Sequence, residues 1–165
     1  AGYKAKRDTG TFSYACHAVV VAVDPKLGSV DILDYVIIED GGVLVNPMVV
    51  DGQIIGGVAQ GIGTALYEEM PFDEHGQPLA STLADYMLPG APEVPSIRIQ
   101  HIESPSPYTE FGQKGIGEGG AIAPPAAIVN AINDALKDMG VEIAESPISP
   151  KRLLAAITKA KLEHV

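Results

Sequence analysis

The chain of 165 residues has no tryptophan, one cysteine, few aromatics of any kind (5%), and only 11 lysines and arginines against 21 acidic residues. A single cysteine excludes an internal disulfide and a CxxC cluster site, so any iron–sulfur centre serving this protein sits on another subunit. The formal net charge of −10 argues against nucleic acid and anionic membranes as partners. No apolar run is long enough to span a bilayer and no secretory leader is recognisable, so a cytoplasmic protein is expected. His17, His75, His101 and His164 show neither H-x-x-x-H nor H-E-x-x-H spacing, and no metal ligand is expected among them. Ser81, Ser104 and Ser106 lack a G-x-S-x-G setting for a nucleophile. With 46% hydrophobic and 19% charged residues, the chain carries fewer charges than an ordinary monomer surface, which suggests apolar area covered by another chain. The plainer alternative is an ordinary compact α/β surface.

Residues 1–165 read as one domain of α+β class: a small mixed β-sheet with helices packed on one side and the functional loops at one end. Apolar runs at Thr11–Val23 and Val30–Ile38 flank Asp24-Pro25-Lys26-Leu27-Gly28-Ser29, a turn signal that predicts a hairpin. Cys16 falls inside the first run and reads as a small core residue. His17 and His101 read as strand residues hydrogen-bonded in the core. A helix is expected over Asp51–Met70, with Ile54, Val58, Ile62 and Leu66 on one face and Ile55 beside them. Its Gly56, Gly57, Gly61 and Gly63 each cost roughly 1 kcal/mol against alanine, so close packing or backbone access to a ligand must compensate. Gln60 lies inside that cluster. A strand at Ser96–Glu103 places Ile97 and Ile99 on one face. A helix over Pro124–Asp138 buries Ile128, Val129, Ile132 and Leu136 until Gly140 stops it, and a last helix spans Pro150–Leu162 with Leu153, Leu154 and Ile157.

The densest signal is Gly112-Gln113-Lys114-Gly115-Ile116-Gly117-Glu118-Gly119-Gly120, which sets one carboxylate in a glycine-rich turn ahead of Pro124-Pro125. Gly115, Gly117 and Gly120 fit G-x-G-x-x-G, yet the residues before them, Ser104 to Phe111, form an extended loop instead of the hydrophobic strand a dinucleotide fold needs. Lys114 comes too early for a phosphate loop, and Glu118 sets negative charge where a phosphate would sit. A carboxylate so placed suits proton abstraction. The plainer reading is a flexible turn with a favourable charge near a helix start.

Gln113 to Gly120, continuing through Ala121-Ile122-Ala123-Pro124-Pro125 to Ile132, resembles the terminal signature of the molybdenum-binding large subunit in the xanthine dehydrogenase, aldehyde oxidase and carbon monoxide dehydrogenase family. Glu39-Asp40-Gly41-Gly42 through Asn46-Pro47, and Asp51-Gly52-Gln53 through Gln60-Gly61-Ile62-Gly63, is similar to a second block of that family. Asp85-Tyr86-Met87-Leu88-Pro89 and Ser104-Pro105-Ser106-Pro107 fall between the two in the expected order. The resemblance implies the C-terminal molybdopterin-binding portion of a hydroxylase that inserts water-derived oxygen into a C–H bond, with cofactor loops at one end of the fold. Glu118 matches the family's general base. Gln60 matches a glutamine that approaches the pterin, with Gly61, Lys114, Gly115 and Gly117 as further cofactor-binding candidates; Lys114 is alternatively a surface charge, and Gln60 a solvated helix residue.

The implied cofactors are a molybdenum–pterin cofactor shared with missing segments or another chain, and iron–sulfur clusters and FAD on partner subunits. The implied partners are the remainder of the molybdenum subunit, an iron–sulfur subunit, a flavin subunit and a small-molecule substrate. Gly119 and Gly120 stand where purine-oxidising members usually carry proline, which points to the carbon monoxide dehydrogenase-like and the aldehyde- or N-heterocycle-oxidising branches. A carbon monoxide dehydrogenase would also need a copper-binding cysteine on a loop, for which Cys16 is a poor candidate. Being much shorter than a complete subunit, and opening Ala1-Gly2-Tyr3-Lys4 without methionine, the chain is expected to be a fragment or small separate subunit, inactive alone. A non-catalytic assembly module and, more weakly, a glycine-loop nucleotide binder are the competing classes.

Overall fold

The computed structural model describes residues 11–163; the opening Ala1–Lys4 and His164 lie outside them. Period-two alternation builds the first hairpin. β1 (Tyr14–Asp24) and β2 (Ser29–Asp40) pair antiparallel, with Tyr14 opposite Asp40 and Asp24 opposite Ser29. The Asp24 carboxylate closes the turn by accepting from the N–H of Lys26 at 2.7 Å and of Leu27 at 3.1 Å, and Gly28 supplies the left-handed φ of 70°.

Ala15, Val19, Val21 and Val23 turn toward the core, and Cys16 and Val20 face outward. Cys16 is thus an exposed residue and not a buried one: in a strand, alternate members of even a continuous apolar run point to opposite faces. β3 (Ile97–His101) joins parallel to β2, so the sheet is mixed, in the order β1-β2-β3, and Ile97 and Ile99 both face the core.

α1 runs over Pro47–Leu66, starting and ending earlier than the periodicity predicts. Asn46 caps it, accepting from Val49 N–H at 3.3 Å, and Pro47 occupies the first turn, where its missing N–H costs nothing. Ile54, Val58, Ile62 and Leu66 are buried as expected, but Ile55 is 43% exposed because the next residue is rotated about 100° off the stripe.

A one-turn helix, α2 (Gly119–Ile122), precedes α3 (Pro124–Leu136), which buries Ile128, Ile132 and Leu136 and half-buries Val129. A 3-10 turn at Lys137–Met139 then ends at Gly140. In α4 (Pro150–Glu163), Leu153 and Ile157 are buried. α3 lies against β1 and α4 against β2, so the helices cover one face of the sheet around a core centred on Tyr35, Ile37, Val58, Ile62 and Ile128. The architecture is α+β with a mixed sheet.

Three of the four unusual glycines in α1 are explained by close approach within the chain. A Cβ on Gly57 would meet the Gly120 and Ala121 backbone at 2.9 Å, one on Gly61 would meet Pro124 Cβ at 2.6 Å, and one on Gly63 would strike the Glu68 carboxylate. Pro124 cannot retreat without moving α3. Gly61→Ala is therefore expected to destabilise by about 1–3 kcal/mol through overpacking, read as a lower denaturation midpoint.

Candidate active site

Two anchors hold the glycine-rich turn, and its middle stands open. At the first anchor, Gly42 bridges Gln113. Val43 N–H donates to Gly112 O at 3.1 Å, and Lys114 N–H to Gly41 O at 2.9 Å. Gly42 has a φ of 66°, and a side chain there would collide with Gly112 O, so glycine is required twice over. At the second anchor, a Cβ on Gly120 would meet Ile54 O at 2.5 Å, and one on Gly119 would run into the Glu39 carboxylate.

Between the anchors, Gly115 and Gly117 are exposed, neither has a left-handed φ, and an added Cβ would meet no atom within 4 Å. The same holds for Gly52 and Gly56 on α1. Nothing among the described residues requires glycine at these four positions. They are bare main chain presented outward.

Glu118 is exposed and forms the N-cap position of α2, without a side-chain hydrogen bond to that helix. Gln60 is also exposed, and shares an α1 face with Gly56 and Gln53, which stand one and two turns earlier. Gln53 was not among the sequence candidates. Its Nε2 donates to Gly117 O at 2.6 Å and so ties α1 to the turn beside Glu118. Its position in the run Asp51-Gly52-Gln53 was the available signal, but a glutamine's partner 64 residues away is set only by folding. An apolar cavity of about 260 Å³ flanks the turn, with Leu44, Val49, Lys114 and Ile116 in its walls.

Two of the candidates support the site from within the protein. Gly61 is buried against Pro124. Lys114 is not a surface charge: its side chain is 8% exposed, its Nζ lies 3.2 Å from the wholly buried Asp40 side chain, and it stacks over the Tyr14 ring at 5.2 Å.

Burial opposes ionisation of Asp40. The Ser104 hydroxyl, the N–H groups of Gly42 and Ser104 and the Tyr14 hydroxyl outweigh it, and hold the carboxyl well below the usual carboxylate range. Its neighbour Glu39 is 1% exposed and has no hydrogen-bond partner for either oxygen among the described residues, so burial pushes it up, with partial opposition from His101 across the sheet. Sequence reasoning gave neither residue a role, quoting Glu39-Asp40 only as part of a block similar to the family's, because burial and pairing are set by distant segments. His17 Nδ1 lies 2.8 Å from the Tyr35 hydroxyl and His101 Nε2 2.7 Å from Asp51, so both strand histidines are hydrogen-bonded as expected. Burial lowers the His17 pKa. No cluster of three potential metal-ligating side chains occurs among the described residues.

The turn thus offers bare glycine backbone beside one exposed carboxylate, on an α+β unit. The chain belongs to the molybdopterin cofactor-binding domain family, whose model matches residues 2–95. It is 43% identical, over 88% of its length, to the large subunit of nicotine 6-hydroxylase from Paenarthrobacter nicotinovorans, of which it covers 18%. It is 45% identical to quinoline 2-oxidoreductase from Pseudomonas putida 86, with a TM-score of 0.85, covering 87% of this chain and 18% of that one. A Cu,Mo-CO dehydrogenase shares 27% identity and a TM-score of 0.87, covering 93% of this chain and 19% of that one. The chain therefore spans less than a fifth of the length of these relatives. No helix among the described residues is long and apolar enough to cross a membrane.

Proposed function

We propose that this chain is the C-terminal molybdopterin-binding portion of a molybdenum hydroxylase large subunit, in which Glu118 is the general base and Gln60, Gly115 and Gly117 meet the cofactor. The observation that carries the reading is the unforced glycine at Gly115 and Gly117, open main chain on either side of Ile116 and next to an exposed carboxylate. Gln60 adds an amide able to donate and accept, the pairing a heterocycle with both kinds of edge calls for. Lys114 acts through Asp40 and Gly61 through Pro124, both as supports of the site.

When bound, the cofactor supplies the redox centre that accepts two electrons as water-derived oxygen enters a substrate C–H bond. Glu118 takes up the proton that the attacking oxygen loses. The substrate is an aldehyde, an N-heterocycle or a similarly small molecule. Electrons leave through iron–sulfur and flavin subunits, and the complex is cytoplasmic. Alone the chain does not turn over. Outward-facing Tyr14 and Val20, with Val45, Met48 and Phe111, are large exposed apolar side chains suited to cover by the remainder of the subunit.

Purified from its source with its partners, the protein is expected to carry about one molybdenum per copy by elemental analysis, with larger partner chains in native mass spectrometry. Gly117→Ala is expected to lower that metal content while leaving the circular dichroism spectrum unchanged, because the added Cβ meets no atom of the described residues within 4 Å. Source protein without molybdenum would overturn the reading.

A further inference from the structure

The buried carboxyl of Glu39 takes no part in the chemistry above, yet it stands directly behind the catalytic turn. Both of its oxygens lie within 4 Å of the place where a side chain on Gly119 would begin, and Oε1 fills that place. Glu39 is carried on the last turnless stretch of β2, opposite His101 in the parallel pair, so the sheet holds its backbone rigidly. The opposite side of the turn is equally confined, with Gly120 against Ile54 O and Gln53 donating to Gly117 O. Glu118 thus projects from a turn gripped from behind by a strand carboxyl and from the side by α1.

Among the described residues neither Glu39 oxygen has a hydrogen-bond partner, and an unpaired buried carboxyl is destabilising. A leucine or methionine would fill similar volume without that cost. Beside Glu39 lies a cavity of about 220 Å³ that also touches His17 and Gly119, so contact with the turn falls to the carboxyl itself and not to a continuous wall of side chains.

We propose that Glu39 is a positioning residue for Glu118: its carboxyl, seated where a Gly119 side chain would be, sets the height and direction of the turn that presents the base. The proposal rests on the reading of Glu118 as the base, but its central contact is tested separately. In the full-length protein, Glu39→Ala is expected to lower kcat about 10-fold or more with KM and molybdenum content unchanged, since a misplaced group of about 1 Å costs up to 10²-fold. Glu39→Gln, which keeps the shape, is expected to restore most of the lost rate.

Gly119→Ala is expected to lower kcat similarly, because the new methyl group occupies the place of Oε1 and breaks the contact whether the carboxyl or the turn gives way. The double variant Gly119→Ala/Glu39→Ala is then no slower than Glu39→Ala alone, because the new methyl group enters the vacated space. Hydrogen exchange at residues 116–121 follows the same pattern, protected in wild type and Glu39→Gln, exposed in each alanine single variant, and partly re-protected in the double. Two independent effects that multiply, or a joint fall of KM, molybdenum content and kcat, would overturn the proposal. If Glu118→Gln stays active while the exchange pattern holds, the base reading fails and the contact stands.

Discussion

If Glu118 is the general base proposed above, replacing it by glutamine in the full-length enzyme is expected to lower kcat by about 10²–10⁴-fold, the usual contribution of a positioned base, while molybdenum content stays at the wild-type level. The substitution conserves shape and removes only the ability to hold a proton. Glu118 makes no side-chain hydrogen bond to the helix it precedes, so the fold loses nothing when the carboxylate goes. KM is expected to change little, because the group acts on a proton that moves in the transition state and not on the bound substrate. Activity near wild type in a fully metallated preparation would sink the assignment. It would leave the assembly module as the better reading, a reading that also predicts indifference to change at Gln60.

Lys114→Met is expected to loosen the turn strongly. The ammonium pairs with a carboxylate whose side chain is fully buried, and removing one member of a buried pair costs about 3–5 kcal/mol because the other charge stays behind unpaired. At about 1.4 kcal/mol per tenfold, that is roughly two to three and a half orders of magnitude in the local opening equilibrium. Hydrogen exchange across residues 112–120 in the full-length protein measures it directly.

Adding Asp40→Leu recovers only part of the loss, since Asp40 also accepts from Gly42 N–H at 2.8 Å and Ser104 N–H at 3.2 Å. Exchange unchanged in Lys114→Met would show that the pair does not hold the turn. The acid dependence has a definite sign. The folded-state pKa of Asp40 is depressed, so its contribution is fully present above the unfolded value of about 3.9 and is lost as pH falls below that toward the folded value. The turn should therefore stay closed through neutral and mildly acidic pH and open only in strong acid.

Where local rules act alone, the sequence was readable. Asp24 to Ser29 announced its hairpin because an aspartate and a glycine satisfy a turn with their own atoms. The stripe Ile54, Val58, Ile62, Leu66 announced a buried helix face through its period. Cys16 misled because continuous apolar character hides the alternation of a strand, and Ile55 because adjacency in a helix is not adjacency on a face. Asn46-Pro47 marks the true start of α1, a cap and first-turn proline that lie ahead of the hydrophobic period from which the helix was read.

The candidate site divides in the same way. Glu118, Gly115 and Gly117 could be singled out as candidates because they stand together in one motif whose chemistry depends on residue type. The buried pairing of Lys114 and the contacts of Glu39 and Gln53 could not, because each depends on a partner 64 or more residues away: Asp40 for Lys114, the glycine turn for Glu39 and Gln53.

By itself the sequence determined an α+β chain with a hairpin, its main helices and one carboxylate in a glycine turn, since each follows from periodicity or turn chemistry within a few residues. The tertiary structure decided which glycines are packed and which are bare, and which charges are buried. Steric contact and desolvation arise only when distant segments meet, as β2 and α1 do around the turn of Glu118.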